Sequence, residues 1–197
     1  RGIYDLSNQA TQKFENARTE IAQFLGSGNA NTVAFTQGTT ASINIVAQSF
    51  LAPRLQAGDN IVTTIMEHHA NFIPWQMLAQ RYQVELRLVP IDKNGDLDLV
   101  QLSKFLDKKT KLLAISHISN TLGTIHPLDE IIELAKRKDI PVLVDAAQSA
   151  CHFEIGVDPL NCDFLTFSGH KMFGPFGIGI LQVSEKYLAD MMPYNYG

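Results

Sequence analysis

Short apolar runs, set apart by stretches whose apolar residues recur at helical spacing, do most to narrow the folds open to this chain. Within residues 8–25, Phe14, Ala17, Ile21 and Phe24 share one helical face and Gly26 is a stop signal, so an amphipathic first helix is expected. Val33-Ala34-Phe35, then Gly38-Thr39-Thr40, then Ile43, Ile45, Val46, Phe50 and Leu51 read as strand, Gly-Thr turn and helix. The alternation continues with strands at 61–65, 84–89, 112–115, 142–144, 164–167 and 178–183. Helices are expected at 71–82, 97–106 and 128–138, with a last one starting at Ser184. Strands alternating with helices predict an α/β three-layer sandwich around a mostly parallel seven-stranded sheet. Only a short link joins the last two strands, which suits an antiparallel pair. Asn94-Gly95 is a turn before a helix.

Composition matters mainly for what it excludes. A chain of 197 residues, 45% hydrophobic and 18% charged, buries an ordinary globular core and reads as one domain, 1–197, without repeats or low-complexity tracts. A net charge of -4, with 16 Lys and Arg in no long cluster, argues against nucleic acid as a partner. No apolar run approaches membrane-spanning length and nothing resembles a signal peptide, so no membrane partner is expected. The 2 cysteines, Cys151 and Cys162, lack metal-type spacing and a neighbouring base, which favours a reducing cytoplasm and small core or loop thiols. The chain starts at Arg1 without methionine and stops at Gly197 straight after Met192-Pro193-Tyr194-Asn195-Tyr196, so both ends read as cuts.

Ligands of such sheets sit outside the carboxyl ends of the strands. That rule selects Gly38-Thr39-Thr40, Glu67-His68-His69, residues 116–120, Asp145 to Gln148, and Ser168-Gly169-His170-Lys171. Lys171 leaves an apolar strand through a Gly-containing turn, a poor place for ordinary surface charge. Asp145 follows Val142-Leu143-Val144 directly, so it is expected to be partly buried and to need a partner. An amine beside a carboxylate is what pyridoxal phosphate chemistry requires: the amine condenses with the aldehyde, and the acid keeps the pyridine nitrogen protonated. Gln148 is placed to reach the ring hydroxyl of the same ligand. Asn120 reads equally as a ring partner and as a turn residue before Gly123. Thr39 and Thr40 at a helix start, with Ser168 and His170, offer phosphate donors; a plain helix cap is the alternative. Adjacent His68 and His69 point apart in extended chain, so no metal is expected; one of them either lies over a flat ring, serves proton transfer, or caps the helix near Asn71. His126 and His152 are read as solvated or loop histidines.

Five motifs then occur in one order: Thr36-Gln37-Gly38-Thr39-Thr40; Glu67-His68-His69-Ala70-Asn71 with Pro74-Trp75; Ser119-Asn120; Val144-Asp145-Ala146-Ala147-Gln148; and Phe167-Ser168-Gly169-His170-Lys171 with Gly174-Pro175. Together they resemble the group II cysteine desulfurases, of selenocysteine lyase type, within the class V aminotransferases, and the likeness runs from Arg1 to Gly197. The resemblance implies the pyridoxal phosphate-binding large domain of a fold-type I enzyme, truncated at both ends and without the C-terminal small domain. It implies that Lys171 bonds to pyridoxal phosphate, His68 stacks on the ring, Asp145 faces the pyridine nitrogen and Gln148 the ring hydroxyl. Asn120 then sits beside the cofactor, and Thr39, Thr40, Ser168 and His170 form the phosphate set. Lys171 and His68 are the catalytic pair in this reading.

The implied reaction turns L-cysteine into L-alanine and leaves the sulfur on an enzyme thiol, for iron–sulfur cluster assembly or other sulfur transfer. L-selenocysteine is a further substrate of the type. A homodimer and a sulfur-acceptor protein are implied as partners. Gln37 departs from the family, which usually has arginine there. The persulfide cysteine and the carboxylate-binding arginine of the family lie C-terminal to the stretch matched here, and neither Cys151 nor Cys162 corresponds to that cysteine, so these 197 residues are expected to be inactive alone. Two alternatives stand beside this reading: another class V enzyme, kynureninase-like or an epimerase, and a non-catalytic binding module.

Overall fold

The computed structural model describes residues 4–155 and 160–196. Seven strands form one sheet in the order β1-β7-β6-β5-β4-β2-β3. They are β1 Val33–Thr36, β2 Asn60–Thr64, β3 Glu85–Val89, β4 Thr110–Ser116, β5 Val142–Asp145, β6 Phe164–Ser168 and β7 Gly179–Val183. Strands β2 to β6 pair in parallel, while β7 runs antiparallel to both β6 and β1. The expected mostly parallel sheet and the antiparallel final pair are both present.

Side chains of successive strand residues point to opposite faces, and both faces are covered. Leu113, Ile115, Val142, Val144 and Leu165 enter one core with Leu25, Leu102, Ile131 and Ile132. These last come from or beside α1 Asp5–Phe24, α4 Leu99–Phe105 and α5 Leu128–Lys136. Leu112, Ala114, Leu143 and Phe164 enter the other core with Ile43, Phe50, Trp75 and Leu78. There the cover is α2 Thr39–Ile45, the helical turns Val46–Leu51 that prolong it, and α3 Ile73–Tyr82. A short α6, Glu185–Leu188, closes the chain and stacks Tyr187 on Phe164 with ring centroids 5.8 Å apart. No helix among the described residues is long and apolar enough to cross a membrane.

Helices α4 and α5 are two or three residues shorter than expected, and α1 and α3 depart from expectation for identifiable reasons. Helix α1 begins at Asp5, and only its C-terminal end is tightly packed: Ala22 and Leu25 are buried, whereas Phe14 and Phe24 are 41% and 39% exposed. Of the predicted stripe, Ile21 packs against the core and Phe14 makes a tilted ring contact with Phe35 at 4.9 Å. Helix α3 begins at Ile73 rather than 71, because Pro74 fits the first helical turn and the preceding residues His69–Asn71 wind as a tighter 3-10 turn.

Phe164 is fully buried between Phe50 and Tyr187. Phe164→Ala is expected to cost about 3–5 kcal/mol, seen as a lower urea midpoint at an unchanged slope.

Candidate functional site

Strand register sets the geometry of the site. Ser116 of β4 stands abreast of Asp145 of β5, and Ser168 of β6 stands abreast of Gly179 of β7, which in turn pairs with Thr36 of β1. The turns leaving these strands therefore open at one end of the sheet. They enclose a cavity of about 250 Å³ lined by Thr39, Thr40, His68, Asn120, Asp145, Gln148, Ser168, His170 and Lys171, all nine of the residues singled out from sequence. Ala70, Ser116, Ile118 and Ala147 complete the lining. Ser116 and Ile118 were within reach of sequence reasoning, since they belong to the selected segment 116–120. Gln37 is exposed and does not line the cavity.

One side of the cavity is built for negative charge. Ser168 Oγ accepts the Thr39 amide at 2.8 Å and lies 2.7 Å from Thr39 Oγ1. Gly38, with φ of 142°, takes a backbone angle that disfavours other residues. Gly179 is pressed against it: a Cβ there would lie 2.5 Å from the Gly38 carbonyl carbon. Two glycines thus let the Thr39 turn settle onto Ser168. Beyond Ser168, the 3-10 turn Gly169–Lys171 presents His170, stacked on Phe176 at 5.1 Å, and Lys171. Gly169 is close-packed as well, since a Cβ would meet the carbonyls of Pro175 and Ile178 at 3.3 Å.

Elsewhere the cavity is acidic. Asp145 is buried and its Oδ1 accepts the Ala147 amide at 2.9 Å. Burial pushes its carboxyl above the usual carboxylate range, while the Ala147 N–H and the positive charge of Lys171 pull it back. A buried acid facing a hollow and near a lysine suits a ligand that carries a basic nitrogen.

His68 combines two of the roles left open by the sequence. Its Nδ1 accepts the Ala70 amide at 3.1 Å, so it caps the turn, and its ring borders the cavity. The His69 ring sits 6.2 Å away, tilted by 70°. Behind the wall lies Glu67, which the sequence reading treated only as a neighbour of the histidines. Burial pushes its carboxyl up to about 7, against hydrogen bonds from Ser116, Asn71 and Thr64. Glu67 lay in a segment the strand-end rule selected, but its three-sided enclosure depends on contacts from Thr64, Asn71 and Ser116 that no local pattern announces.

His126 lies in a loop, one of its two expected states, but it is not solvated. Only 2% exposed, it donates from Nδ1 to the Ser116 carbonyl at 2.6 Å, and its amide bonds the His117 carbonyl at 2.9 Å. The isolated bridge Ile118 to Ile125 folds this loop back on itself and carries His126 under the sheet end. His152 is exposed, as expected. Cys162 is buried, which pushes its thiol up to about 12, and Cys151 is half-buried with Sγ 3.9 Å from the Gln148 carbonyl. A wider cleft of about 620 Å³, lined by Asn29, Lys136, Asp163 and Glu185 among others, opens at the amino ends of the parallel strands and shares none of the nine residues.

Comparison with known proteins agrees with this geometry. The sequence profile described as "Aminotransferase class-V" matches residues 1–197. A cysteine desulfurase of Enterobacter sp. (strain 638) is 50% identical over 197 residues, which cover all of this chain and 48% of that protein. The apo structure of a cysteine desulfurase from Thermococcus onnurineus NA1 superposes with a TM-score of 0.95 at 42% identity, covering 100% of this chain and 49% of the other. A C-DES mutant, with glycine covalently linked to its PLP cofactor, superposes with a TM-score of 0.87 at 28% identity over 100% of this chain and 52% of its own. The chain thus spans about half the length of the curated relatives it matches.

Gly179→Ala is expected to push the Gly38-Thr39 turn off Ser168. The check is hydrogen exchange at the Thr39 amide, whose protection should fall about fivefold, the loss of one hydrogen bond's net worth of about 1 kcal/mol.

Proposed function

The chain belongs to the class-V aminotransferase family, and from that premise we propose that it forms the pyridoxal phosphate-binding part of a cysteine desulfurase, which releases L-alanine from L-cysteine and passes the sulfur on. The observation that carries this reading is the single cavity that gathers a lysine, a buried aspartate and a hydroxyl-rich turn.

The donor set fits the cofactor. Pyridoxal phosphate is a flat ring with an anionic substituent, a phenolic oxygen and a basic nitrogen. Thr39, Thr40 and Ser168 supply hydroxyls, and His170 a ring N–H, to the phosphate. Gln148 and Asn120 supply amides to the phenolic oxygen, and His68 a flat face against the ring. Asp145 supplies the acceptor that holds a proton on the ring nitrogen. Its buried position supports this, because an isolated buried carboxylate is costly and a cationic partner offsets the cost. When bound, the cofactor supplies an electron-withdrawing ring that stabilises negative charge at an amino acid's α-carbon.

What remains is the work of the chain's own residues. Lys171 Nζ anchors the group and, as a free amine, takes and returns a proton at the substrate α-carbon. His68 is the second proton carrier beside it. The sulfur-accepting thiol is assigned to neither cysteine: Cys162, at about 12, holds its proton at neutral pH and lines the opposite cleft. L-selenocysteine as a further substrate, a sulfur-acceptor protein, a role in iron–sulfur cluster assembly, a homodimer and a cytoplasmic setting extend the same reading.

Mixing the chain with pyridoxal phosphate is expected to give a visible absorption band that Lys171→Ala abolishes. Borohydride reduction is expected to fix the added mass on Lys171. A folded chain without the band, or a mass adduct on another lysine, contradicts the assignment.

A further inference from the structure

Glu67 stands behind the cavity wall, and its carboxylate is held from three directions. Oε1 accepts from Thr64 Oγ1 of β2 at 2.8 Å and from Ser116 of β4, through N–H at 3.1 Å and Oγ at 3.3 Å. Oε2 accepts from Asn71 Nδ2 at 2.6 Å. Asn71 is fully buried, and its Oδ1 accepts the Trp75 indole N–H at 3.1 Å. That bond stops the amide from turning over, so Asn71 faces Glu67 only as a donor. The Ser116 amide is likewise a donor only. Among these partners, the hydroxyls of Thr64 and Ser116 alone can accept a proton from Glu67.

The same contacts close the turn that carries His68. Asn71 N–H reaches the His68 carbonyl at 2.8 Å, and Ala70 N–H reaches His68 Nδ1 at 3.1 Å. Resting on the cofactor reading above, we propose that Glu67 is the positioning residue of this cavity: it clamps the His68 turn to the ends of β2 and β4.

The charged and titratable groups around the clamp come from four elements. Asp145 ends β5 and its negative charge acts on Glu67; His68 adjoins it in the same turn; Lys171, after β6, acts on Asp145; and His126, before α5, bonds the Ser116 carbonyl. Burial and Asp145 both favour the neutral form of Glu67, and its donors favour the charged form. The balance lies near neutrality, so the clamp loses its charge as pH falls through about 7. Above that value the full negative charge sits behind Asp145. Below it, Glu67 turns one contact round and donates to a hydroxyl.

Trp75 reports on the clamp without any cofactor, because it is the chain's 1 tryptophan and is bonded to Asn71. The experiment follows its emission through a pH titration of the cofactor-free chain, then measures pyridoxal phosphate binding by absorbance. Wild type is expected to titrate with a midpoint of about 7. Glu67→Gln should abolish that transition and weaken cofactor binding about tenfold, the scale of one charge-assisted hydrogen bond. His68→Gln should keep the transition. Thr64→Val removes one donor at little change in volume, so it should move the midpoint upward and serves if Glu67→Gln does not fold. Emission independent of pH in wild type, or a midpoint unmoved in Thr64→Val, overturns the clamp. A titrating chain that never binds pyridoxal phosphate overturns the cofactor reading and leaves the clamp standing, whereas a binding chain with flat emission does the reverse.

Discussion

Asp145 stands level with Ser116 on one side and Thr166 on the other because three neighbouring parallel strands, β4, β5 and β6, share one register. Everything at the site follows from that alignment. In a parallel sheet covered on both faces, strand interiors are apolar and polar residues collect where the strands end. Here the ends are brought level, so five turns that are distant in sequence empty into one cavity. A slip of one residue would send Leu143 and Phe164 to the opposite face and carry Asp145 out of line. The core therefore enforces the site: the same alternation that seats Val142 and Val144 in one layer and Leu143 in the other fixes where the acid emerges.

Within that frame the site concentrates groups that are costly to bury. Two carboxyls, Asp145 and Glu67, lie behind or beside one another, and both are pushed upward by loss of water. They are tolerated for different reasons. Glu67 is enclosed by four donated hydrogen bonds from the protein itself. Asp145 draws on the Ala147 amide and on the positive charge of Lys171, and it borders the hollow. One carboxylate is enclosed by the protein's own donors, and the other borders the cavity. The antiparallel β7 adds a different constraint: by bringing Gly179 against Gly38, it lets the hydroxyl turn approach Ser168 to within hydrogen-bond reach.

Much of this was legible in the sequence, for identifiable reasons. Strands such as Val142-Leu143-Val144 are short apolar runs, and the residue after each run had to lie at a strand end, so Asp145 and Lys171 could be placed without coordinates. All nine expected site residues border the cavity for that reason. What escaped depended on long-range packing. The burial of His126 comes from a loop folded back through the Ile118 and Ile125 bridge, and no local pattern announces it. Phe14 shares the predicted helical face with Ile21 yet stays 41% exposed, because the period of the apolar residues says which face turns inward and not how far along α1 the core extends. The role of Glu67 was overlooked because two histidines beside it invited the question of a metal, and because its partners Thr64, Asn71 and Ser116 meet it only in the fold.

The central claim is that Asp145 holds a proton on the nitrogen of a bound pyridine ring. The most direct measurement is the nitrogen NMR shift of ¹⁵N-labelled pyridoxal phosphate bound to the chain, followed with pH in wild type and Asp145→Asn. The account predicts a protonated ring nitrogen at pH values where the free cofactor has lost its proton, and loss of that protonation in Asp145→Asn. A bound nitrogen that titrates as in free solution, or one indifferent to Asp145→Asn, would contradict it.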